Sequence, residues 1–100
     1  MLREIELAFI KLHILYHAAN DEVYGLGLIE ELGRHGYKLS AGTLYPTLAK
    51  MQHKALLSCT TKIVNHKQRK YYRITPYGLK QLNRMKTKIE ELHQEVVEKK

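Results

Sequence analysis

Only one stretch of this chain alternates apolar and polar residues by two. Residues 56–63 (LLSCTTKI) and 69–75 (RKYYRIT) are β-branched or aromatic and alternate in that way. The five residues between them, VNHKQ, are polar and include Asn65. This pattern predicts a single hairpin with a basic tip of His66, Lys67, Gln68, Arg69 and Lys70. Apolar residues elsewhere recur at helical spacing, so the expected fold is mainly α with a two-stranded β wing.

Residues 3–18 predict the first helix. Leu2, Ile5, Ala8, Phe9, Leu12 and Leu15 form one apolar side, and Leu7, Ile10 and Ile14 form a second. A helix apolar on two sides is buried on two sides, in its own core or partly against a second subunit. Asn20-Asp21 interrupts the periodicity, and a second short helix is expected over Val23–His35, with Gly36 as its cap. Gly25 and Gly27 at its start suggest a close approach there.

The third helix, in SAGTLYPTLAKMQHKALL, opens oddly. Ser40 is a natural N-cap, yet Gly42 and Pro46 occupy the first two turns, where neither favours a helix. The expectation is a tight turn over Ala41–Leu44, with the helix firming up after Pro46. Leu44, Leu48, Met51 and Ala55 make one stripe, and Thr43, Thr47, Lys50 and Lys54 make another about 100° away. Thr75-Pro76 signals the start of a last helix running toward Lys100. In it Leu82, Met85, Ile89, Leu92 and Val96 step by three and four, the spacing of a helix–helix seam. The chain therefore divides into a winged helix-turn-helix over residues 1–75 and a dimerisation helix over 76–100, in one compact unit.

Charge is distributed in blocks. Residues 1–36 carry three basic and six acidic side chains, whereas residues 37–75 carry eight basic and no acidic ones. The net charge is +7, and such a block attracts polyanions. Ser40, Gly42, Thr43, Tyr45, Pro46, Thr47 and Lys50 are the expected DNA contacts of the third helix, with Lys67, Arg69 and Lys70 on the wing. Gly42 permits close backbone approach, the hydroxyls and the helix start suit phosphate oxygens, and Pro46 offers a flat apolar surface to a thymine methyl. The alternative for Gly42 and Pro46 is that they only set the angle between the second and third helices.

Other classes fit less well. One cysteine, Cys59, excludes an intramolecular disulfide and a cysteine-rich zinc site. His13 and His17 are spaced for a metal, but no HExxH-like motif accompanies them. Neither a phosphate loop nor a catalytic triad is recognisable, so no catalytic residue, cofactor or metal is expected. No apolar run is long enough for a membrane helix, and Glu4 and Glu6 argue against a secretory signal. A soluble cytoplasmic protein is the expectation. The alternatives kept open are a winged helix that binds an acidic partner protein and, opposed by the single cysteine, a metal sensor.

The third helix and the run RKYYRITPYGLKQL together resemble the PadR family of transcriptional regulators, in a short form. The matching residues are Gly42, Thr43, Leu44, Tyr45, Pro46, Leu48 and Met51, then Tyr71, Tyr72, Ile74, Thr75, Gly78 and Leu82. The second helix opens differently, as Tyr24-Gly25-Leu26. The resemblance implies a homodimeric DNA-binding regulator, often a repressor; the two recognition helices of such a dimer call for a near-palindromic operator. It also implies a small lipophilic or aromatic effector near the dimer interface. A filled core is the favoured reading there, with a pocket lined by Phe9, Met85 and Ile89 as the alternative.

Overall fold

A computed structural model describes residues 1–99; Lys100, the last residue of the expected dimerisation segment, lies outside the described residues. The element order is α1 (Leu2–Asn20), α2 (Gly25–Arg34), α3 (Ala41–His53), β1 (Leu57–Val64), β2 (Lys67–Ile74) and α4 (Pro76–Val96). This is a winged helix-turn-helix with a long terminal helix.

The core lies where α1, α2 and α3 meet the base of the hairpin. Ile14, Leu32, Leu44 and Leu48 are fully buried, and Leu28, Leu57, Tyr72 and Leu82 close the cluster. Of the two apolar sides of α1, the one bearing Ile10 and Ile14 faces this core, with Leu7 partly buried against it. The other side buries Leu15 and partly buries Leu12 but leaves Leu2, Ile5 and Phe9 exposed.

The link before α2 departs from the expected helix. Val23 exchanges two backbone hydrogen bonds with Tyr72, at 2.8 and 2.7 Å, and so extends the sheet beyond β2 by one residue. The glycines that follow explain why the chain can run so close. A Cβ on Gly25 would stand 2.4 Å from Tyr45 Oη, and one on Gly27 would stand 3.1 Å from the Tyr24 ring.

Helix α3 starts as α-helix at Ala41, without the expected preliminary turn. Leu44 N–H donates to Ser40 O at 3.0 Å, and the Ser40 hydroxyl accepts from Thr43 N–H at 3.3 Å. Pro46 lies inside the helix. Lacking an N–H, it leaves the Gly42 carbonyl without its usual i+4 donor. The buried stripe ends at Met51, because Ala55 has already left the helix with φ of 61° and is exposed.

The hairpin is longer and its turn tighter than expected. The antiparallel register runs from Leu57 opposite Ile74 to Val64 opposite Lys67, so Lys67–Lys70 belong to β2 rather than to a tip. The turn is Asn65-His66 alone, both with positive φ (52° and 65°), the backbone of a two-residue hairpin turn matched to strand twist.

Helix α4 is capped as the sequence indicates. Thr75 Oγ1 accepts from Gly78 N–H at 2.9 Å and donates to the carbonyls of Ala55 and Leu56. A Cβ on Gly78 would fall 2.2 Å from Leu56 O, so only glycine lets α4 seat against the α3–β1 connection. Leu82, expected in the intersubunit seam, is instead 4% exposed within its own core. The helix ends at Val96, short of Lys100. Among the described residues no helix is long and apolar enough to cross a membrane.

Candidate nucleic-acid interface

One cleft, about 750 Å³ in volume, opens between the start of α2, the middle of α3 and the wing. Tyr24, Gly25 and Leu26 form one wall, Tyr45, Ala49 and Gln52 another, and Val64, Asn65 and Lys67 to Lys70 the third. Tyr72 also lines it, and burial beside the Cys59 thiol pushes the Tyr72 phenol above its ordinary pKa of 10.0.

The expected DNA contacts on α3 sit on or beside the face turned away from the core. Ser40, Gly42, Tyr45, Pro46 and Lys50 are exposed, and Thr43 and Thr47 are half-buried. Their chemistry differs from residue to residue. Thr47 Oγ1 donates to Thr43 O at 3.0 Å, so its proton is engaged within the helix. Ser40 is occupied in capping. Tyr45 lays its ring over Gly25 while remaining 44% exposed, which ties α3 to the start of α2 and offers the ring edge outward. Among the described residues nothing fills the space at Gly42: a Cβ there would meet only Ser40 Oγ, at 3.7 Å.

On the wing, the cations are not equivalent. Lys62 and Arg73 pair with Glu22, the latter at 3.8 Å, and are thereby partly neutralised. Arg69 lies with its Cζ 4.5 Å from the centroid of Tyr24, and Tyr24 in turn packs against Tyr71. Such a cation–π contact at a partly exposed site contributes about 0.5–1 kcal/mol and fixes the guanidinium. Lys67 and Lys70 are exposed. In the strand alternation Lys70 shares the face of Tyr72 and Arg69 that of Tyr71, yet both line the cleft, as strand residues rather than as a tip.

Sequence reading passed over Tyr24, which positions Arg69, and Gln52, which faces the cleft. The signal for Tyr24 was present: an aromatic immediately before Gly25-x-Gly27 has room to fold back. Gln52 carried none.

The expected intersubunit residues divide. Leu82 is internal and Met85 half-buried, while Ile89, Leu92 and Val96 are 45%, 57% and 63% exposed. Phe9 is exposed on α1, which packs against α4.

This architecture matches known proteins along nearly its whole length. The family model described as the Transcriptional regulator PadR-like family matches residues 14–84. The chain is 45% identical over 96 residues to Transcriptional regulator Rv3488 of Mycobacterium tuberculosis, covering 96% of this chain and 90% of that one. Among solved structures, a PadR-like transcriptional regulator of Bacillus cereus is similar at 35% identity with a TM-score of 0.83, covering 93% of this chain and 92% of its own. A PadR family regulator of Eggerthella lenta follows at 27% identity and a TM-score of 0.78, covering 95% and 88%. The chain thus belongs to the PadR-like family of transcriptional regulators.

Proposed function

We propose that the protein is a sequence-specific DNA-binding repressor that acts as a homodimer on a near-palindromic operator. Residues 1–75 form the DNA-binding unit, and the segment from 76 onward, with α4 at Pro76–Val96, serves dimerisation. The observation that carries the reading is the vacant face at Gly42. Glycine is a poor helix former, and no neighbour among the described residues requires it there. A backbone laid close against a major groove gains room from it.

In this reading Tyr45, Pro46, Thr43 and the Ser40 end of α3 meet base edges and phosphates, and Lys50 reaches the adjacent backbone. Lys67, Arg69 and Lys70 hold the wing to the flanking phosphates or minor groove. Ile89, Leu92 and Val96, with Met85, pair with the same residues of a second copy. This pairing sets two α3 helices about one DNA turn, ~34 Å, apart. A small lipophilic or aromatic effector would act where Phe9, Met85 and Ile89 approach that interface.

The test is a fluorescence-anisotropy titration with DNA from upstream of the protein's own gene, against scrambled DNA of equal length, at several salt concentrations. Tighter binding to the native DNA is expected, with log K falling by roughly 0.9 per neutralised phosphate for each unit of log salt. Lys50→Ala should weaken binding and reduce that slope. Equal, weak binding to both DNAs, and to other candidate operators, would overturn the assignment and direct attention to an acidic protein partner.

A further inference from the structure

Three histidines far apart in the sequence converge on the side of the fold bounded by α1 and the end of α2. His13 and His17 stand one turn apart on α1, and His35 follows the last residue of α2. Each offers a ring nitrogen, and these nitrogens all lie within 4.8 Å of one another. The fold supplies what the His13/His17 pair lacked in the sequence, a third ligand and a carboxylate. Glu31 Oε1 is 3.5 Å from His17 Nε2 and 3.6 Å from His35 Nε2. The other oxygen, Oε2, is held by Arg34.

A second observation points to a ligand. His17 Nε2 is buried and makes no hydrogen bond; Glu31 is near enough for an ion pair but does not satisfy it. Unsatisfied buried nitrogen is rare in folded proteins. The rings of His13 and His35 stack with centroids 4.5 Å apart.

We propose that His13, His17, His35 and Glu31 bind one divalent transition-metal ion, with Zn²⁺ the best match, and that the ion clamps α1 to the end of α2. Three imidazoles and a carboxylate are a nitrogen–oxygen set that zinc accepts with tetrahedral geometry, and cysteine is not required. Bonds of about 2.0–2.2 Å place tetrahedral ligand atoms roughly 3.3 Å apart, so modest side-chain rotation closes the site. Half-exposed His35 gives the ion a route in. The clamp acts on α2, the first helix of the helix-turn-helix, and so bears on how α3 is presented.

The experiment is calorimetric titration of the chelator-treated full chain with Zn²⁺, with Co²⁺ as a spectroscopic substitute. Expected are one ion per chain, the visible absorption of tetrahedral cobalt, and a melting temperature raised by zinc. His13→Ala and His35→Gln should each lower affinity beyond the roughly 10–100-fold typical of losing an outer partner, whereas His53→Ala should not change it. If His13→Ala loses its circular dichroism, the exposed His35→Gln decides alone. Absent stoichiometric binding, a six-coordinate cobalt spectrum, or unchanged affinity in His35→Gln would each overturn the site. None of these readouts depends on DNA, so the site stands or falls apart from the regulatory function.

Discussion

Helices α3 and α4 begin alike and end differently. Each starts from a hydroxyl cap, Ser40 or Thr75, that accepts the N–H three residues on. Helix α3 buries three residues of 13, Leu44, Leu48 and Met51, and turns outward a face of hydroxyls and lysine. Helix α4 buries only Gly78 and Leu82 of its 21 residues, and its far half turns outward an apolar row. The difference teaches what each outer surface awaits. A polar, cationic face with room at its backbone suits a phosphate-lined groove. A row of Ile89, Leu92 and Val96 is stable in water chiefly when a like row covers it.

Substitutions can break or sharpen this contrast. Leu48→Ala should destabilise the fold by about 2–5 kcal/mol, as for a buried leucine with neighbours that relax only partly. Ile89→Ala should leave the melting temperature of the monomer nearly unchanged; comparable losses in both would erase the distinction between the helices. Leu92→Glu should cost dimer formation at least about 2 kcal/mol and yield monomers by light scattering, and a surviving dimer would move the interface off α4.

Gly42→Ala should do opposite things in two assays. Thermal stability should rise by up to about 1 kcal/mol, since the methyl enters open space, while DNA affinity falls. Unchanged affinity would hand Gly42 back to the geometry of α2 and α3. The smallest effect is Ala55→Gly. Ala55 sits in the left-handed region just past α3, where glycine avoids most of a roughly 1 kcal/mol strain, so the melting temperature should rise slightly with no change in DNA binding.

Much of this was legible in the order of residues. Ser40 and Thr75-Pro76 announce helix starts because capping is a local hydrogen bond, and the Leu44–Leu48–Met51 stripe follows from helical period alone. What the sequence did not disclose was settled by contacts between distant segments. Val23 reads as helix by its neighbours, but Tyr72, 49 positions later, recruits it into the sheet. Leu82 fits the seam by spacing, yet the Gly78 contact brings that turn of α4 down onto the core. His13 and His17 looked unaccompanied because Glu31 and His35 join them only once α1 packs on α2. Asn65-His66 was a fair turn signal, but strand length around it depends on pairing rather than on local composition.

The joint at Thr75 and Gly78 gives the molecule a mechanical property. One hydroxyl and one bare Cα fasten α4 to the connection between α3 and the wing, with no flexible linker between them. Beyond it the helix extends roughly 30 Å at 1.5 Å per residue. Over that length a tilt of about 5° at the joint would displace the far end by roughly 2.5 Å. In the proposed dimer, small adjustments in how two shafts lie together are thereby geared to the angle at which each α3 meets its groove.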